Sequence, residues 1–177
     1  MNIGWSMFSD IKLLGNPLRV KNWHTRACVD FESNEFAMSF ISSWIAFNHI
    51  YGVYASHPAS TIGHRPGDKK QVGYFSASAE AQALLNEVRQ MEDLLNLSIK
   101  LPVINLLTGE PVPDHVQKTN RIVDIECQEL FSIVYQVRNN LFHGSKDPLA
   151  SARDEELCKC LSKFLLIFNG RFIDKYL

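Results

Sequence analysis

Neither sign of charge is in excess in this chain: 18 lysines and arginines face 19 aspartates and glutamates, for a net charge of -1. That balance supplies no global attraction for nucleic acid or an anionic membrane, so binding of either kind has to come from a local patch. Cysteine is scarce, and Cys28, Cys127, Cys158 and Cys160 show no paired metal-type spacing. They read as reduced thiols of a cytosolic protein. No His or Cys pair at ligand spacing has a matching second pair, His49, His57 and His64 included, so neither a metal nor a cofactor is expected. A glycine-rich phosphate loop is missing, because Gly63, Gly67 and Gly73 do not stand between a strand and a helix. The serines form no nucleophile elbow. No window approaches 18 uncharged apolar residues, and the start MNIGWSMFSDIKLLGNP has no charged region followed by a long apolar run. Neither membrane spanning nor export is expected, and the expected location is the cytoplasm.

What is present builds a core. With 177 residues and 46% hydrophobic content, residues 1–177 suit one domain that buries roughly 70% of its unfolded surface. The stretch from Thr119 to Pro148 organises the rest. Val123, Cys127, Leu130, Val134, Val137 and Leu141 recur at spacings of four and three, one stripe of a helix of about six turns that Gly144 and Pro148 bring to an end. An earlier helix is expected from Ser33 as its cap, with Phe36, Phe40, Trp44, Phe47, Tyr51 and Tyr54 on one stripe that reads as core rather than as a base-stacking platform. The adjoining stripe, Ala37, Ile41, Ile45, Asn48, Gly52 and Ala55, is interrupted by one asparagine, which needs a hydrogen-bond partner.

Between these helices, residues 57–75 read as a long basic loop. A helix from about Ser76 to Ser98 should turn Ala81, Leu84, Val88, Met91 and Leu95 inward. Residues 101–117 read as an insertion with two short extended pieces around Thr108 and Gly109, a small hairpin limited by Pro111 and Pro113. A last helix, capped by Asp147 or Ser151, carries Leu157, Leu161, Phe164 and Phe168 inward. The expected fold is all-α: a four-helix bundle core over residues 33–170, with residues 1–32 as an irregular N-terminal arm or short helix packed on the body.

The central helix delivers Arg138, Asn139, Asn140 and His143 to its last turns, a polar cluster at the end of a core-building element. RNNLFHG, an arginine followed by asparagine with histidine five positions on, resembles the signature of the HEPN superfamily, whose catalytic members are metal-independent ribonucleases. SSWIAFNHIYG, from Ser42 to Gly52, is similar to the early helix of bacterial HEPN proteins of the abortive-infection and toxin kind, and the KDP that follows with a final amphipathic helix is similar in order. Arg19 and His24 share the spacing, but Val20 follows that arginine and neither a helix end nor a glycine follows His24.

The resemblance implies a HEPN-like bundle and an endoribonuclease of toxin or phage-defence biology that leaves a 2′,3′-cyclic phosphate. It also implies a homodimer with the active site at the interface, an RNA substrate, and room for an antitoxin or regulatory protein. The chemistry fits the residue types. A histidine titrating near neutrality can move protons at the 2′-hydroxyl and the leaving 5′-oxygen, the role expected of His143. An arginine fork can grip the phosphate by two hydrogen bonds as charge builds, the role expected of Arg138. Asn139 would orient one or the other, with Lys146 and Asn48 in support, although a satisfied core amide accounts for Asn48 equally well. On a regular helix, residues five apart lie about 140° apart and about 7.5 Å along the axis, so Arg138 and His143 need an unwound last turn or a second subunit to act together. In the nucleotidyltransferase-paired subgroup a tyrosine stands two residues after the histidine, where this chain has Ser145, which argues against regulation by modification there. The alternative is a non-catalytic HEPN-like module that binds RNA, a nucleotide or a protein partner. A third reading is a structural helical protein whose cations favour a helix C-terminus.

Overall fold

The computed structural model describes residues 15–63, 66–112, 121–142 and 151–177. Seven α-helices and one two-stranded hairpin make up the regular structure of these residues. The all-α expectation holds at that level, and several boundaries move.

The first helix, α1, spans Gly15–Glu32, which corrects the irregular arm expected over residues 1–32 for all but its first 14 positions. Pro17 does not prevent it, because a missing N–H in the first turn removes no intrahelical bond. Apolar periodicity misses α1 because polar residues share its buried face: Asp30 is buried with Val20 and Ala27. The polar members have partners. Asp30 accepts hydrogen bonds from Arg26 Nε at 2.9 Å and Ser42 Oγ at 3.0 Å.

Ser33 does not cap the next helix. Its hydroxyl and its amide both donate to Val29 O, and it belongs to the end of α1. Asn34 follows with φ 61°, and Asn34 N donates to Phe31 O while Glu35 N donates to Asp30 O. This is the double hydrogen bond of a helix terminated by a left-handed residue, a position asparagine tolerates. The chain then re-enters a helix, α2, at Phe36–Ser56.

On α2 the expected aromatic stripe is the core: Phe40, Trp44, Phe47, Tyr51 and Tyr54 are buried. Its opposite flank carries Ser39, Ser42, Ser43 and Ala46, also buried. These small side chains let helices approach closely. Ser39 Oγ donates to Ala27 O of α1 at 2.8 Å and shares a hydrogen bond with Ser162, and Asn169 Nδ2 donates to Ser43 O at 2.9 Å. Ser162 and Asn169 belong to the last helix, α7, Ala152–Tyr176, where Ser151 is the cap and accepts from Asp154 N. Leu157, Leu161, Phe164 and Phe168 are buried on it as expected.

Residues 57–75 are not all loop. Asp68–Ser76 is a helix, α3, with Val72, Phe75 and Ser76 buried, and Gly73 in its middle is tolerated because the buried face is built by its neighbours. The expected helix from Ser76 to Ser98 is broken. Ser78 caps α4, Ala79–Val88, and a turn precedes a short α5, Glu92–Leu95. Ala81, Leu84 and Val88 face the core, but the break rotates the chain, so Leu94 is buried while Met91 and Leu95 are exposed. The partner that fixes this path is distant in sequence: Ile122 N donates to Leu97 O at 2.9 Å, and Arg89 donates to Ile125 O.

The insertion is a hairpin. Strands β1, Val103–Ile104, and β2, Pro111–Val112, pair antiparallel with Val103 opposite Val112, and Gly109 turns the chain with φ 77°. The central helix, α6, is described over Cys127–Phe142, preceded by a 3-10 turn at Ile122–Asp124, so it starts later than the expected Thr119. Its stripe is buried at Cys127, Leu130, Val134 and Val137. Phe131 joins them and stacks on Phe47 of α2 with ring centroids 4.8 Å apart and 10° between planes. Around that pair sit Phe75 of α3 and Phe164 and Phe168 of α7. One aromatic core thus joins α2, α3, α6 and α7.

The four cysteines are free thiols. Burial pushes Cys127 and Cys160 up to about 12, which makes them poor nucleophiles at neutral pH.

His24 lies inside α1, so the Arg19–His24 pair has no helix end to work from. The His24 ring packs against Gly170 of α7, and its Nδ1 is buried without a hydrogen-bond partner among the described residues. Burial lowers its pKa, opposed by the nearby Asp174 carboxylate. His49 is lowered as well, by burial and then by Arg19. Both groups bind fewer protons folded than unfolded, so their contribution is present above their ordinary value and is lost as pH falls below about 6.5. The thermal midpoint should therefore fall between pH 7 and pH 5, and His24→Gln should flatten that fall. An unchanged slope in His24→Gln would show that His24 does not contribute.

Candidate functional site

Three helices converge beside the end of α6. Arg138 projects from α6 with 24% of its side chain exposed. Its guanidinium is flanked by the rings of Trp44 on α2, at 5.6 Å to the centroid, and Phe142 on α6, at 4.7 Å. A guanidinium over aromatic faces is held by the ring quadrupole, which restricts the fork to a narrow range of orientations. Two polar contacts fix it further: Nη2 lies 3.4 Å from Asp68 Oδ2, and Nη1 donates to Asn139 Oδ1 at 2.9 Å. Nε is buried and has no partner among the described residues.

Asp68 stands in the first turn of α3, where the helix dipole favours a carboxylate. Its other oxygen, Oδ1, accepts from Tyr51 OH at 3.2 Å. Tyr51 in turn accepts a hydrogen bond from Asn48 Nδ2. The chain of contacts runs from Asn48 through Tyr51 and Asp68 to Arg138 and Asn139. Tyr51 is pushed far above the ordinary tyrosine range, first by burial and then by the Asp68 charge, with Asn48 and Arg138 opposing. It is a neutral phenol throughout the useful pH range, fixed as a donor to Asp68.

Of the residues singled out in the sequence, Arg138, Asn139 and Asn48 are therefore brought into one network. His143 and Lys146 lie outside the described residues. Asn140, one position on, has a different job. It is buried, its Nδ2 donates to Ile104 O at 2.8 Å, and its Oδ1 accepts from Gln136 Nε2 and Leu106 N. It pins the hairpin to α6 beside the site. Asp68 and Tyr51 escaped sequence reasoning: Tyr51 was counted as one more core aromatic, and Asp68 sat in a stretch read as loop. The signal that could have found them is the demand of Asn48 for a partner, since Tyr51 stands three residues on, the next turn of the same helix face.

The Asn48 amide is paired, its Nδ2 donating to Tyr51 OH. Asn48→Ala should lower stability by about 0.5–1.5 kcal/mol, the net worth of a typical hydrogen bond. Thermal melts check this, and a loss of nothing would make the residue a bystander. His57 is engaged locally, its Nδ1 accepting from Ala59 N. Among the described residues, no group of three or more His, Cys, Asp or Glu side chains could hold a metal ion, and no helix is long and apolar enough to cross a membrane. No family model, no curated protein and no solved structure matches this chain.

Proposed function

We propose that this chain is a metal-independent endoribonuclease of the HEPN kind that acts in toxin or phage-defence biology. Arg138 grips the scissile phosphate, His143 moves protons at the 2′-hydroxyl and the leaving oxygen, and Asn139 orients the arginine. The observation that carries the reading is the state of Arg138. It is a partly exposed cation, oriented by two aromatic rings, on the helix that carries the RNNLF of RNNLFHG. A fixed fork is what stabilisation of a developing phosphate charge requires, because orienting it costs nothing at the moment of reaction.

The active unit in this proposal is a homodimer with the ends of two α6 helices facing across a shared cleft. Two copies of Arg138 then line one cleft, a local attraction for phosphates that the net charge of -1 conceals. Sedimentation equilibrium at micromolar concentration should report about twice 20.2 kDa. A strict monomer that cuts RNA would sink the shared cleft.

The activity is tested by incubating the purified chain with transfer RNA and messenger RNA in EDTA, beside His143→Ala. Cleavage that survives the chelator and leaves a 2′,3′-cyclic phosphate is expected. A folded wild type that cuts nothing, or a His143→Ala variant that cuts equally well, overturns it. The second reading, a binding module that holds RNA, a nucleotide or a protein partner without cutting, draws on a specific observation: both Nη groups of Arg138 are already engaged, by Asp68 and by Asn139.

A further inference from the structure

A guanidinium offers an oxyanion two bidentate edges, one made by Nε and Nη2 and the other by Nη1 and Nη2. Nη2 belongs to both. In this chain Nη2 is the nitrogen nearest the Asp68 carboxylate, at 3.4 Å. Nε is buried, which closes the first edge, and Nη1 is held by Asn139, so the Asp68 carboxylate stands against the nitrogen left for an incoming oxyanion. The rings of Trp44 and Phe142, with centroids 5.6 and 4.7 Å from Cζ, crowd the group further. The contact is also looser than a charge-assisted hydrogen bond of 2.7–2.9 Å, and both partners keep solvent access, with 24% and 32% of their side chains exposed. Asp68 has a second hold that does not depend on Arg138, the hydrogen bond from Tyr51 OH to Oδ1. A carboxylate anchored from behind, and only loosely paired in front, can give up its cation without leaving its place.

We infer that Asp68 is a built-in competitor for the phosphate: an RNA phosphodiester engages Arg138 only by taking Nη2 from Asp68. The inference rests on the reading of Arg138 as the phosphate-binding cation. Because the carboxylate and the phosphate exclude each other at one nitrogen, the resting chain holds RNA more weakly than its arginine allows, and neutralising Asp68 relieves the competition. Tyr51 keeps the competitor in register. Any event that draws Asp68 or α3 away from α6 raises affinity, and any event that tightens the pair lowers it.

The test is a binding cycle with a fluorescently labelled single-stranded RNA oligonucleotide in EDTA, on the full chain in a His143→Ala background so that nothing is cut. Asp68→Asn keeps the shape of the side chain and an oxygen for Tyr51, and should tighten binding about 2- to 5-fold, the range for removing one partly exposed competing charge. Asp68→Ser should shift binding in the same direction. In Arg138→Ala the gain should vanish, because there is no longer a cation to compete for. If Arg138→Ala weakens binding but both Asp68 variants, folded by thermal melt, bind no tighter than the parent, the competition is refuted and Arg138 remains the phosphate ligand. If Arg138→Ala leaves binding unchanged with and without Asp68, the reading of Arg138 fails, and the inference with it.

Discussion

Arg138→Ala should lower the rate of RNA cleavage about 10²–10³-fold, the usual cost of removing one preorganised donor from a developing anionic charge. His143→Ala should cost about 10²–10⁴-fold, the range for a general acid or base. The two losses should not add, because in the proposed mechanism the residues act on one phosphate and the second deletion damages a step already broken. Arg138→Lys separates two explanations. A lysine preserves the positive charge but lacks the planar fork and fits less well between the rings of Trp44 and Phe142. If charge alone matters, Arg138→Lys retains most of the rate, whereas a bidentate grip predicts a loss close to that of alanine. Stability is a minor confounder, since the Arg138–Asp68 pair is partly exposed and such pairs contribute about 0–1 kcal/mol. Rates per folded molecule, with thermal melts alongside, make the comparison clean. Wild-type turnover in a folded Arg138→Ala chain would remove Arg138 from the mechanism.

The largest stability loss is expected at Phe47. Its ring is fully buried, stacked on Phe131 and edge-on to Tyr51, Phe75 and Phe168. Phe47→Ala removes a side chain that touches rings on three other helices, and truncating a buried phenylalanine costs about 3–5 kcal/mol through lost transfer energy and the cavity left behind. Against a total stability of about 5–15 kcal/mol that is a large share. At about 2–4 °C per kcal/mol for a chain of this size, the thermal midpoint should drop by roughly 6–20 °C. Phe142→Ala is the control, since that ring is 54% exposed and surface truncations usually fall within about 0.5 kcal/mol. A loss below about 1 kcal/mol in Phe47→Ala would mean that the aromatic centre is not where the stability resides.

Apolar spacing located α2, α6 and α7 and named most of their buried positions, because each helix packs a continuous stripe against the same aromatic centre. The hairpin was legible for a similarly local reason: Gly109 and the flanking prolines punctuate two extended runs. Elsewhere local patterns misled. Ser33 has the chemistry of a cap, but its hydroxyl goes back to Val29 because Asn34 closes α1 first. The helix from Ser76 to Ser98 has unbroken apolar spacing, yet it breaks after Val88, where Arg89 donates to Ile125 O, and the chain beyond is held where Leu97 O accepts from Ile122 N.

By itself the sequence determined a predominantly helical chain without a long apolar span, and the aromatic stripe that becomes the core. It also marked Arg138 and Asn139 as polar residues at the end of a buried helix. Those features are properties of single segments, governed by periodicity and composition. Only the tertiary structure decided that residues 15–32 form a helix, since the buried Asp30 on its inner face takes one of its two hydrogen bonds from Ser42 of another helix. The tertiary structure alone also decided what surrounds Arg138. Asp68 and Tyr51 come from two other helices, and a guanidinium selects its neighbours through charge and hydrogen-bond geometry across space, which spacing along one chain does not encode.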